Sequence, residues 1–225
     1  VIMISTSSSI DKANFAKAQA FSSTVKNELF FNLVSEWTFD EPQQGNITID
    51  SFSNNHGTVY GATYKTRESG ECVSGGCYSF DGVNDYINCG NNASLISTFD
   101  GSYTVGMWVK TTTVATIKDI WSKGSATTGY HLVVFNYPVG QVRFYSGNST
   151  DADSLISVAN NLNNGLWRYL VFVLDGTTQK IYVDGVFDNS KTKVAGTAPV
   201  SNFKIASYGS RYFNGLIDDV RIYNR

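Results

Sequence analysis

From Trp37 onward the sequence is a succession of short apolar runs, mostly of period two, separated by clusters of Gly, Asn, Asp and Ser, and no other feature restricts the fold as tightly. YTVGMWVKT, HLVVFNY, VRFYS, WRYLVFVLDG, QKIYVDG, FKIAS and GLIDDVRIY each have the length and the β-branched and aromatic content of a strand. Residues two apart share one face of a strand, so alternation of this kind buries one side and wets the other. Asp175-Gly176 and Asp184-Gly185 fall between such runs, where Asp-Gly reaches the positive φ of a tight hairpin turn at low cost. Roughly ten strands or more fit, with no helix between them, which predicts an all-β fold of two packed antiparallel sheets, a jelly-roll sandwich. Trp108 and Trp167 lie in or beside the most apolar runs and are expected in the core, as is Cys89, which alternates with Ile87.

Composition fits this reading. The 225 residues suit one sandwich plus an appendage, and 14% aromatics with 20 Gly against 3 Pro suit twisted strands and tight turns. Charged residues make up 16% and the net charge is -2, which leaves no basic footprint for nucleic acid. Cys72 and Cys77 frame CVSGGC, whose two glycines let the chain bend back, so a disulfide is expected there and with it an exported, extracellular or cell-surface protein. In SFDGVNDYINCG, Asp81-Gly82 reads as a turn between two strands, with Asn84 and Asp85 able to bond their own backbone. It does not read as a calcium loop, because the alternating oxygen ligands and distant Glu of that motif are missing.

Residues 1–35 differ from the rest. SIDKANFAKAQAFSSTVKNELFFNLVSEW has no Gly or Pro and places Ile10, Phe21, Val25, Leu29 and Leu33 near helical spacing, which predicts one helix capped at its start by Ser9. Ala13, Ala16, Ala18 and Ala20 give that helix a small-residue face suited to close packing, on its own domain or in an assembly. No apolar segment of membrane-spanning length is present; the VIMIS start reads as the end of a longer hydrophobic segment, the one route by which this chain would reach a membrane.

Seven segments, EWTFDE, DSFSNNHGTV, CYSFDGVNDYI, YTVGMWVKT, DIWSKG, GLWRYLVFVLDGTTQKIYVDG and GSRYFNGLIDDVRIYNR, stand in the order found in the laminin G-like group of concanavalin A-like jelly rolls, which residues 36–225 resemble. The resemblance implies a two-sheet jelly roll whose first and last strands lie side by side. It also implies a structural calcium ion near those strands, for which Asp40, Asp50, Asn55 and Asp218 are the candidates. ANFAKAQAFSSTVKNEL followed by a β domain looks like the latter half of a type IV pilin helix, which implies self-association through residues 1–35.

Glucan-cleaving relatives of this fold carry two Glu around an Asp on one strand; the nearest match here, EWTFDE with Glu36, Asp40 and Glu41, has other spacing, and no serine or cysteine motif stands by His56 or His131, so no enzyme is expected. A sugar site would combine exposed aromatics with amides and hydroxyls at one rim. Tyr130, Tyr137, Tyr145, Tyr208 and Tyr212 are its candidates, and Asn46, Asn92 and Asn148 head glycosylation sequons. The expectation is a pilin-like filament subunit with a lectin-like head, the alternative a free carbohydrate-binding module; glycans or cell surfaces are the partners in both.

Overall fold

A computed structural model describes residues 2–41, 44–114, 117–125, 129–136, 139–147, 154–192 and 201–225, with the backbone alone for 2–8, 125, 129 and 130. Two antiparallel sheets stack face to face. In the first, the order is Val186–Thr192, Thr178–Val183, Arg168–Asp175, Tyr103–Lys110, Asn214–Tyr223, Cys77–Asp81 and Thr63–Lys65, with Leu33–Trp37 paired to the far end of Asn214–Tyr223. The second runs Leu155–Ile156, Val142–Tyr145, Gly129–Phe135, Lys118–Ser125, Phe203–Ile205, Tyr86–Asn88, Gly57–Tyr60 and Ile47–Thr48. The first and last strands therefore lie side by side, as the resemblance implied.

The core between the sheets takes one residue in two from each strand: Val105, Met107 and Val109 from one strand, Leu170, Phe172 and Leu174 from its neighbour, facing Ile87, Trp121, Phe144, Phe203 and Ile205. Cys89 is buried there as a free thiol, and burial holds its proton on. In Asn214–Tyr223 the alternation is broken by one extra residue: Asp219, at φ +55°, sits in a register shift between Asp218 and Arg221. That bulge lets Ile217, Val220 and Ile222 all reach the core.

SFDGVNDYINCG is not a hairpin. Cys77–Asp81 belongs to the first sheet and Tyr86–Asn88 to the second, so the segment is an arch from one sheet to the other. The Asx bond comes from Asp81, whose carboxylate accepts the Val83 amide at 2.8 Å, while Asp85 accepts the amide of Asp81 at 2.9 Å. The Cys72–Cys77 disulfide is present, with a Cα separation of 5.4 Å.

The N-terminal helix spans Ile2–Glu28, so Ser9 lies inside it rather than capping it, and a second, short helix, Ala93–Phe99, stands between strands where none was expected, burying Leu95 and Phe99 in the core. Of the four alanines only Ala18 is buried, and Ile10 is exposed. The packed stripe is Phe15, Ala18, Phe21, Ser22 and Val25, spaced three and four apart, and it covers the outer face of the first sheet. Phe15 meets Trp108 at 5.3 Å, and Phe21 meets Tyr169 and Tyr182, each at 6.1 Å. Trp108 and Trp167 thus sit in this second apolar layer and not between the sheets. This explains why WRYLVFVLDG reads as continuous rather than alternating: the helix covers Tyr169 and Val171 while the opposite sheet covers Leu170 and Phe172. Gly185, at φ +81°, lies under Phe21, whose Cβ would be 2.8 Å from any side chain there.

An ionic network fastens the same helix. Glu36 receives Lys26 at 2.6 Å and Arg221 at 2.7 Å, and Arg221 also reaches Asp219 at 2.6 Å and Ser22 at 3.3 Å. Burial alone would raise the Glu36 carboxyl, but Lys26 and Arg221 bring it below its ordinary value. The strand holding Glu36 begins at Leu33, so residues 33–35 belong to the sandwich and not to the helical segment.

Candidate functional site

Among the described residues no helix covers the outer face of the second sheet, and the residues alternating away from the core collect there. Ile87 and Cys89 point inward, which turns Tyr86 and Asn88 outward; Val59 points inward, which turns Thr58 and Tyr60 outward. Tyr60 and Tyr86 are direct cross-strand partners, and their rings stack at 4.6 Å and 9°. Gly61 follows at φ +73°, where a Cβ would strike the buried Asp85 carboxylate, so the chain turns away just beyond Tyr60. Tyr60 remains 43% exposed.

Lys204 on the neighbouring strand pairs with Asn88 and with Ser122, and its ammonium lies 5.2 Å from the centre of the Tyr86 ring. Next to it the two-stranded turn Ser207–Tyr208 and Arg211–Tyr212 folds over the sheet and brings Tyr212 within 6.2 Å of Tyr86. Arg211 anchors this turn: it makes a two-pronged bond to Asp119, at 2.5 and 3.0 Å, and lies 5.5 Å from the Tyr208 ring. Asp119 is fully buried; burial pushes its carboxyl up to about 7 against the pull of Arg211. Ser122 donates to the Ser207 carbonyl at 2.6 Å and ties the turn down from the other side. Beside Lys204 opens a groove of about 690 Å³ whose walls include Ser201, Asn202, Tyr208 and Gly209. The face thus offers phenol hydroxyls, an exposed ring, an ammonium and a trough bordered by serine, asparagine and tyrosine side chains.

Of the five tyrosines expected at a sugar site, Tyr208 and Tyr212 lie here. Tyr145 is on the same outer face, in a cluster with Leu132 and Val134 against which Tyr208 packs, but it is buried there and its hydroxyl accepts from Arg143 at 3.2 Å. Only the backbone of Tyr130 is described, and Tyr137 and Asn148 lie outside the described residues. Sequence reasoning missed Tyr60, Tyr86 and Lys204, although the inward placement of Cys89 and Ile87 already carried the signal for Tyr86.

The calcium candidates divide between two places. Asp50 accepts the amides of Glu36, Phe52, Ser53 and Asn55 and the Ser53 hydroxyl, so both its oxygens are taken. Asn55 bonds Ser35, Ser53, Ser94 and Asn92. Asp40 and Asp218 lie instead at the disulfide loop, accepting from Gly76 and from Val73 and Ser74. One ion held by all four does not fit this arrangement, and among the described residues no three acidic, His or Cys side chains gather for a metal. The Asn92 amide is engaged by Asn55, whereas Asn46 is exposed after the turn at Gly45.

The chain's place among known proteins follows from residues 81–225, which match the Laminin G model of the concanavalin A-like lectin/glucanases superfamily. A search of curated proteins finds no match. Among solved structures, the binding domain of Paraclostridial Mosquitocidal Protein 1 aligns with a TM-score of 0.67 at 16% identity, over 88% of this chain and 50% of that one. Domain 4 of AbnA, a GH43 extracellular arabinanase from Geobacillus stearothermophilus, in complex with arabinotriose, aligns at 0.60 and 20% identity, over 85% of this chain and 92% of that one. Trypanosoma rangeli sialidase aligns at 0.64 and 15% identity over 87% of this chain, which spans only 31% of the sialidase. With nearly two thirds of its length matched by the family model, this chain belongs to the concanavalin A-like lectin/glucanases superfamily.

Proposed function

We propose that the chain is a carbohydrate-binding module of an exported protein, holding sugar on the open face of its second sheet and not cleaving it. The observation that carries this reading is the cluster of Tyr60, Tyr86 and Tyr212 beside the Lys204 groove, an aromatic and polar patch on the outer sheet face that no helix covers among the described residues. The described walls of that groove contain hydroxyls, amides and an ammonium and no carboxylate pair, whereas glycoside hydrolysis uses two carboxylates flanking the bond. The disulfide supports export. Two of the similar structures are a binding domain and an arabinotriose complex, which agrees with the reading without identifying the sugar.

Filament assembly through the helix has less to draw on. Its apolar stripe is docked on the chain's own first sheet, the arrangement expected of a free module. Calcium enters this reading only at Asp40 and Asp218, where one oxygen of Asp218 is buried without a hydrogen-bond partner.

A glycan array tests the proposal. The wild type is expected to bind a defined set of saccharides, and Tyr60→Ala and Tyr86→Ala to weaken that binding by about tenfold to a hundredfold with little change in Tm. An array blank in every class, or binding indifferent to both substitutions, overturns it.

A further inference from the structure

Resting on the carbohydrate reading, we propose that the sugar taken by this face carries an anionic substituent, a carboxylate or a sulfate, and that Lys204 receives it. Lys26, Lys65, Arg168, Lys180, Arg211 and Arg221 each sit against a carboxylate of the protein. In the second sheet three lysines have no carboxylate partner among the described residues: Lys118 gives its ammonium to the Gly82 carbonyl, Lys123 is buried and gives its own to Asn91 and the Ser201 carbonyl, and Lys204 is set against the Tyr86 ring, which attracts the ammonium but leaves its charge uncancelled.

Its setting makes that charge usable. Lys204 is half-buried between the tyrosine cluster and the groove, so an anion placed there meets it in a less watery environment than at an open surface, and their attraction is screened less. The carboxylates of this region point elsewhere. Asp119 is fully buried and held by Arg211, and Asp85 is buried beneath Gly61 and bonded to the Asp81 amide. Around Lys204 the described polar side chains are neutral: Ser201, Asn202 and Tyr208 line the groove, and Tyr86 and Tyr212 stand on the other side of Lys204. Hydroxyl and amide donors around the half-buried Lys204 ammonium suit an anion on a polyhydroxyl ring, since the charge is met by Lys204 and the remaining oxygens by neutral donors. In a chain of net charge -2 this is a local positive site on a mildly acidic molecule, so attraction to acidic saccharides has to come from a defined point and not from overall charge.

The test uses the full chain in affinity electrophoresis through polygalacturonate, heparin and neutral arabinan, at low and high salt. Wild type is expected to be retarded by polygalacturonate or heparin and not by arabinan, with retardation falling as salt rises. Lys204→Gln should weaken the retardation about tenfold or more, Lys204→Arg should keep most of it, and Lys17→Gln on the exposed side of the helix should leave it unchanged. Retardation by polygalacturonate alone assigns a carboxylate, and by heparin alone a sulfate. Equal losses in Lys17→Gln and Lys204→Gln would reveal diffuse attraction and overturn the inference. Binding to arabinan that is lost in Tyr60→Ala but kept in Lys204→Gln would overturn it while leaving the carbohydrate reading intact. No retardation in any polymer, together with a blank glycan array, would remove both.

Discussion

At the scale of single residues, Asp218 shows how burial outweighs hydrogen bonding. Its carboxylate accepts two backbone amides of the disulfide loop, yet burial first, and the nearby Asp219 charge second, push its pKa from 3.8 to about 8. A native value above the unfolded one means that between about pH 4 and about pH 8 the folded chain holds a proton the unfolded chain has released. Its contribution to stability is therefore full below that window and is lost as the pH rises through it. Thermal melts should show a Tm that falls over this range in wild type and falls less in Asp218→Asn, with the variant the more stable at about pH 8; Asp119, raised to about 7, adds a slope of the same sign to both. The same melts address calcium. An ion at Asp218 requires that calcium raise, and EGTA lower, the wild-type Tm and leave Asp218→Asn unmoved; identical curves for wild type remove the ion. None of this was legible in the sequence, where Asp218 is one of two adjacent aspartates. The bulge at Asp219 decides which face each of them takes, and nothing in DDVRIY announces it.

At the scale of elements, the strands were legible and the helix only in part. Alternation placed Thr178–Val183, where period two survives because one face is wet, whereas Tyr103–Lys110, Arg168–Asp175 and Asn214–Tyr223 are buried on both faces over most of their length and were legible as β-branched and aromatic runs between turn residues. The two Asp-Gly turns fell where they were read: Gly176 takes φ +58°, and Asp184 and Gly185 take +50° and +81°. The helix was recognised, but its contact face was misread. Alanines suggested close packing, whereas the sheet receives Phe15, Ala18, Phe21, Ser22 and Val25, and a single contact stripe could not be chosen from spacing while its partner surface was unknown. That docking makes a testable element. Ala18 is buried against Trp108 and Tyr169, so Ala18→Asp places an unpaired charge there at a cost of about 3–5 kcal/mol. Hydrogen exchange should then show the helix amides losing protection while the strand Phe203–Ile205 keeps it, and glycan binding should be unchanged because the proposed sugar face belongs to the other sheet. Loss of binding in that variant would tie the helix to the site.

At the scale of the whole molecule, the sandwich is one-sided. The first sheet is sealed by the helix, by aromatic contacts and by the Lys26–Glu36–Arg221 network; the second presents Tyr60, Tyr86, Lys204 and the turn held by Arg211. The sandwich itself was readable from strand rhythm and from the order of seven segments. The site was readable only at Tyr208 and Tyr212, because it joins Tyr60, Tyr86, Lys204 and Tyr212 from four separate stretches, and only sheet order makes them neighbours. The central claim is that sugar binds on this open face. Amide chemical-shift mapping of the full chain, titrated with the saccharide bound best on the array, tests it most directly. The account predicts saturable shifts at Tyr60, Tyr86, Lys204 and Tyr212 with the helix amides unmoved; saturable shifts confined to the helix-covered side or to the disulfide loop would contradict it.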